Sequence, residues 1–134
     1  MATDPSSSQG AEPSFNLEQA LHHVDGDGDL LAEIAGIFLS DAPAMVADVV
    51  AAVASGDAEA VSRAAHRLKG SVLIFGAPGA AAAALRLETT GRAGDLSTAD
   101  DDAAHLRAEV DWLCEGLEGL VREQPKRAPR RPEA

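Results

Sequence analysis

The sequence predicts an all-α protein: an antiparallel up-down four-helix bundle with a short extra helix at the N-terminal end and a kink near Pro43. Three observations predict this. Apolar residues recur at steps of 3 and 4 through several long segments, the spacing of one helical face. Aromatic residues are scarce, with no Tyr, one Trp and three Phe, and Ala, Leu and Val supply most of the apolar mass. That balance suits close-packed helices and suits a β-sandwich poorly. Short Gly-, Pro- and Asp-containing stretches separate the segments, which makes consecutive helices antiparallel neighbours. A chain of 134 residues is long enough for one compact core and too short to hold an ATP-binding kinase domain as well.

Residues 1–13, with Ser6-Ser7-Ser8 and two prolines, read as disordered. Asn16 is placed to cap a short helix from Leu17 to about His23. Val24 to Gly28 is a turn, and from Asp29 the residues Leu30, Leu31, Ile34, Ile37, Phe38 and Leu39 follow helical spacing. A second series, Met45, Val46, Val49, Val50 and Val53, follows Pro43. Pro43 removes one backbone donor, so a kink or short break is expected near Asp41. Gly56 then stops that helix and Asp57 caps the next.

That next helix carries Val61, Ala65, Leu68, Val72 and Phe75 at steps of 4, 3, 4 and 3, a buried stripe. Gly76-Ala77-Pro78 breaks it, with Pro78 suited to the first turn of another helix. This Ala-rich helix runs to about Thr90 and is closed by Gly91-Arg92-Ala93-Gly94-Asp95. A last helix, from about Thr98 to Leu120, has Leu106, Val110, Leu113, Leu117 and Leu120 on one face. The domain therefore spans residues 14–121, and residues 122–134 form a proline-spaced basic tail not expected to fold.

Charge narrows the function classes. The net charge is −11; from Ser14 to Val121 there are 18 acidic and 6 basic residues, and from Arg122 onward 5 basic and 2 acidic. Five of those six basic residues (Arg63, Arg67, Lys69, Arg86 and Arg92) lie between positions 63 and 92. Such a patch can steer an acidic or phosphorylated partner, whereas the acidic remainder argues against nucleic-acid binding. The single cysteine, Cys114, excludes an intrachain disulfide and any cysteine metal cluster, and reads as packing. The first thirteen residues lack a signal peptide's basic start and apolar run, and no uninterrupted apolar stretch approaches the ~20 residues of a membrane span. A soluble, monomeric, cytoplasmic protein without membrane attachment is expected.

The residues with chemistry to offer lie in Ala64-Ala65-His66-Arg67-Leu68-Lys69-Gly70-Ser71. His66 falls off the buried stripe and lines up with Ser62, Lys69, Gly70 and Leu73 on the opposite, outward face. Glycine in a helix interior costs ~1 kcal/mol relative to Ala, so something should need close approach at Gly70. A ring nitrogen able to carry a phosphoryl group, a cation beside it and a gap for a partner would explain all three residues. Other constellations fail. Asp25-Gly26-Asp27-Gly28-Asp29 suggests a calcium loop, but the sixth and twelfth positions hold Leu30 and Gly36 where Gly and Glu are needed. His22-His23 reads as a helix end rather than a metal site.

The octapeptide and its continuation Val72-Leu73-Ile74-Phe75-Gly76-Ala77 resemble the signature of the histidine-containing phosphotransfer (HPt) domain. So do Phe15-Asn16-Leu17, Phe38 to Pro43, Gly56-Asp57, Leu87-Glu88 and Gly91-Arg92, and the likeness covers roughly residues 15–121. The resemblance implies an up-down four-helix bundle that relays phosphoryl groups between response-regulator receiver domains, with a hybrid histidine kinase as a further partner. His66 would be the phosphorylated nucleophile, since neutral imidazole is nucleophilic near pH 7 and its phosphoramidate is labile. Lys69 would neutralise the phosphoryl oxygens.

Gly70 would admit the receiver's active-site loops, and Arg67, Ser62, Arg63 and Leu73 would frame the docking face. Ser71 matches the motif but would point partly toward the bundle, and Glu88 lies near where some members place an amide that helps orient the histidine: a carboxylate there can hydrogen-bond the imidazole, yet would repel the phosphoryl group. Val72, Leu73 and Ile74 are bulky where many members carry small residues, which singles out Leu73 as a contact that narrows partner choice. No cofactor or metal is implied for this chain; Mg²⁺ belongs to the receiver. The protein would be a phosphoryl carrier and not an enzyme, as no nucleotide-binding Gly-rich loop is present. The competing reading is a helical interaction module of the same fold that docks signalling partners without phosphoryl transfer.

Overall fold

The computed structural model describes residues 14–122; of the two terminal segments expected to be disordered, 1–13 and 122–134, residues 1–13 and 123–134 lie outside the described residues, while Arg122 closes the last helix. Among the described residues, five helices account for the regular structure: α1 (Leu17–His23), α2 (Gly28–Ser55), α3 (Ala58–Leu73), α4 (Pro78–Ala93) and α5 (Ala99–Arg122). The described residues include no strand. The four long helices touch in a closed ring: α3 packs against α2 and α4, and α5 packs against α4 and α2.

Local chemistry sets the helix ends. Asn16 Oδ1 accepts a hydrogen bond from Gln19 N, Asp27 Oδ1 from Leu30 N and Asp57 Oδ1 from Ala60 N. Each cap satisfies one of the donors that a helix start leaves free, worth ~1 kcal/mol. Asp27 is thus a cap and not a calcium ligand. Gly56 (φ 72°) and Gly94 (φ 74°) terminate α2 and α4 in the left-handed region that favours glycine.

The stripe on α3 is buried as expected: Val61, Ala65, Leu68 and Val72 have no exposed surface, and Phe75 follows in the turn beyond the helix. It meets Leu31 and Phe38 of α2, Leu87 of α4, and Leu106, Val110, Leu113 and Leu117 of α5 in a single core. Truncating one such leucine, Leu68→Ala, costs about 2–5 kcal/mol. Phe38 and Phe75 pack with ring centroids 5.5 Å apart and planes tilted by 57°. Helix α1 is fastened to the turn after α3: Asn16 N donates to the carbonyls of Phe75 and Gly76, and His23 Nδ1 donates to that of Ile74.

Three features differ from the sequence expectation. Helix α2 continues through Pro43 without the short break expected near Asp41; Pro43 is exposed, so the missing donor is not taken from the buried side. Helix α4 does not close at Gly91 but runs to Ala93, because Gly91 is a packing residue and Gly94 is the stop. Helix α2 is also long and apolar enough, by length and composition, to cross a membrane. It carries Glu33, Asp41 and Asp48, however, and gives Leu31, Ala35, Phe38, Ala42, Val49 and Ala52 to the core, as a bundle helix does. Cys114 sits half-buried on α5, and burial, with Asp111 and Glu118 nearby, pushes its thiol up to about 11. An unreactive packing residue results.

Candidate functional site

Close approach of α3 and α4 builds the site. A Cβ at Gly91 would lie 2.7 Å from Ala58 O and 2.7 Å from Ser62 N, both backbone atoms, so only glycine permits this crossing. One turn earlier on α4, Glu88 reaches under the outward face of α3. It is 2 % exposed, a carboxylate taken out of water and therefore in need of partners.

It has three. His66 Nδ1 lies 2.9 Å from Glu88 Oε2, Arg92 Nη2 lies 3.0 Å from the same oxygen, and Lys69 Nζ lies 2.8 Å from Oε1. The Lys69 contact is short, although its direction is poor for a hydrogen bond. The Lys69 ammonium beside it holds the Glu88 carboxyl below the usual carboxylate range; burial pushes the other way, and the His66 contact adds to the lowering. Glu88 is accordingly ionised at neutral pH and can only accept hydrogen bonds. Nδ1 of His66 must then be the donor. In the neutral ring this leaves the lone pair on Nε2, on a side chain that is 65 % exposed. The arrangement offers a nucleophilic nitrogen to solvent with its tautomer chosen from behind.

The residues expected to share a face do so to different degrees. His66, Gly70 and Leu73 are exposed, and Ser62 and Lys69 are partly covered. A Cβ at Gly70 would meet nothing within 4 Å, so packing inside this chain does not require glycine there. Ser71 is half-buried and lies outside the cluster of contacts on Glu88. Leu73 lines a groove of about 590 Å³ with Phe15 and Leu17, and with Pro78 and Ala81 of α4. A second groove, between α2 and α5 and lined by Pro43, Val46, Val50 and Cys114, contains none of the site residues.

The five basic residues do not form a free positive patch. Arg63 pairs with Glu59, Arg67 with Asp48, Arg86 with Asp102, and Lys69 and Arg92 with Glu88. The exposed pairs are weak and exchangeable, so Arg63 and Arg67 can still turn to an acidic partner. Arg92 joins the site although the sequence reading gave it no role there. Its signal was the i,i+4 spacing from Glu88 on one helix, which has meaning only once Glu88 is known to face His66.

Comparison with known proteins agrees with this fold. The described residues resemble the HPT domain of the Hpt sensor hybrid histidine kinase from Shewanella, with a TM-score of 0.73 at 15 % identity over 82 % of this chain and 95 % of that one. At that identity the likeness shows the fold. No curated protein matches. The family model described as the Hpt domain matches residues 33–116, which contain His66, Lys69, Gly70, Glu88 and Arg92. The chain belongs to the Hpt domain family, the histidine phosphotransfer modules of phosphorelays.

Proposed function

We propose that this protein carries a phosphoryl group on His66 between receiver-domain aspartates. The observation that supports this best is the contact from Glu88 to His66 Nδ1, which directs the ring's lone pair to exposed Nε2. In the accepting step Nε2 attacks phosphorus, the bond from phosphorus to the aspartyl oxygen breaks, and its electron pair stays on the receiver's carboxylate. Nδ1 keeps its proton toward Glu88, and the positive charge on the ring is shared with that carboxylate. Donation to the next aspartate is the reverse, with the electron pair of the N–P bond returning to the ring.

Lys69 neutralises the phosphoryl oxygens, since positioning and electrostatics dominate phosphoryl transfer. Gly70 leaves space for the receiver's loops, while Ser62, Arg63, Arg67 and Leu73 border the docking face. The scaffold is read as an antiparallel up-down bundle bent near Pro43. The ring of helix contacts and the short connections at Gly56-Asp57, 74–77 and 94–98 support this arrangement. We read the protein as a monomeric cytoplasmic carrier and not an autonomous enzyme, with residues 14–121 as its domain. Its partners are receivers and a hybrid histidine kinase, and Mg²⁺ is supplied on the receiver's side.

The test is incubation with phosphorylated receivers, comparing wild type with His66→Gln. Acid-labile, alkali-stable label on the wild type alone is expected. Absence of label with every receiver of the source organism would instead make the chain an interaction module.

A further inference from the structure

The two oxygens of Glu88 are unequally occupied. Oε2 holds both His66 Nδ1 and Arg92, whereas Oε1 holds Lys69 alone. A phosphoryl group on Nε2 would compete with Oε1 for Lys69, and drawing Lys69 away would leave a carboxylate that is 2 % exposed short of a counter-charge. Removing one partner from such a buried pair is strongly unfavourable unless another cation remains. Arg92 sits one turn from Glu88 on the same helix and contacts the other oxygen, so its contact does not depend on Lys69 and can remain when Lys69 leaves.

We propose that Arg92 is a positioning residue: it holds Glu88 seated against His66 Nδ1 while Lys69 exchanges from Glu88 Oε1 to the phosphoryl oxygens. This rests on the reading that His66 carries the phosphoryl group. The exchange is favourable because a phosphoryl group near −2 attracts a flexible ammonium more strongly than a carboxylate does. A guanidinium suits the fixed role, being always charged and rigid at its planar head. His66 keeps the same tautomer throughout, so loading and unloading need no proton rearrangement behind the ring. The cation delivered to the phosphoryl group also offsets its repulsion by Glu88.

The test uses the full chain phosphorylated chemically with phosphoramidate, so no receiver is needed. The ¹⁵Nζ resonance of Lys69 is followed before and after phosphorylation in wild type, Arg92→Gln and Arg92→Lys. The phosphohistidine half-life is measured in the same proteins and in Glu88→Gln with and without Arg92→Gln. The Lys69 signal is expected to move in wild type and Arg92→Lys and to stay in place in Arg92→Gln. The half-life should fall about three- to fivefold in Arg92→Gln, the size an exposed ion pair supports, and should not fall further when Arg92→Gln is added to Glu88→Gln. An equal Lys69 movement in Arg92→Gln would overturn the proposal. So would an equal loss of half-life in the Glu88→Gln background, which would make Arg92 a direct phosphoryl contact. Failure of receivers to label His66 counts against the carrier function alone and leaves these measurements standing.

Discussion

His66 Nδ1 and Glu88 Oε2 meet at 2.9 Å across the α3–α4 crossing, and the direction of that hydrogen bond decides which ring nitrogen can act as a nucleophile. An ionised carboxylate can only accept, so the proton stays on the inner nitrogen and Nε2 is left bare.

Replacing the carboxylate by an amide tests this relationship. In Glu88→Gln the side chain offers either an oxygen or an NH₂ group to Nδ1, so both ring tautomers become populated. Long-range ¹H–¹⁵N spectra of the His66 ring should show a rise in the Nε2–H form. Transfer onto His66 should slow about tenfold, the cost of losing one charge-assisted hydrogen bond of ~1.4 kcal/mol. The same variant removes repulsion from the phosphoryl group, so phosphohistidine once formed should live longer. An unchanged tautomer ratio would dissociate Glu88 from the choice of nitrogen.

Acid stability follows from the same carboxylate. The Glu88 pKa is lowered on folding from an ordinary value of 4.5, chiefly by Lys69. A group whose pKa falls on folding contributes stability above its unfolded pKa and loses it as pH drops through the folded value. Denaturant melts should show Glu88 supporting the fold at neutral pH, with its contribution fading below about 4.5. In Glu88→Gln that part of the acid dependence should vanish. Parallel acid profiles for the two proteins would remove Glu88 from the stability account.

Two glycines on neighbouring helices should respond in opposite ways. Gly70 has open space where a Cβ would stand, whereas at Gly91 the Cβ would strike the α3 backbone. Gly70→Ala should raise stability by about 0.5–1 kcal/mol through helix propensity. Gly91→Ala should lower it by about 1–3 kcal/mol through overpacking and should pull Glu88 away from His66. Thermal melts of the two variants check the sign. Gly70→Leu should keep the fold and slow transfer; a normal rate in that variant would remove the case for a partner at Gly70.

These contrasts show what a single sequence can carry. Helix starts and the outward placement of His66 were legible, because a cap such as Asn16 or Asp57 and a stripe such as Val61-Ala65-Leu68-Val72 are local patterns. The partners of Glu88 were only partly legible. Its reach to His66 depends on how closely α3 and α4 approach, and that distance is set by Gly91, which reads in sequence as a helix terminator. The role of Arg92 was hidden for the same reason, since its i,i+4 spacing from Glu88 means something only once Glu88 faces His66. The basic cluster misled in the other direction: charges adjacent in sequence looked like one patch, but Asp48, Glu59, Glu88 and Asp102 meet them in space.

Partner choice should depend on Leu73. It is 47 % exposed, follows His66 and Gly70 on one helical face, and opens into the groove formed with Phe15, Leu17 and Pro78. An apolar side chain in that setting gains free energy only when a partner covers it, about 1–2 kcal/mol for a leucine that was half exposed. Leu73→Ala should therefore raise the receiver concentration needed for half-maximal transfer about five- to thirtyfold, with the rate at saturation unchanged. Leu73→Asp should weaken docking further, since a desolvated charge is added to the lost contact. Transfer kinetics over a range of receiver concentrations separate the two quantities. A fall in the saturated rate at unchanged half-saturation would place Leu73 in the chemistry of His66 and not in recognition.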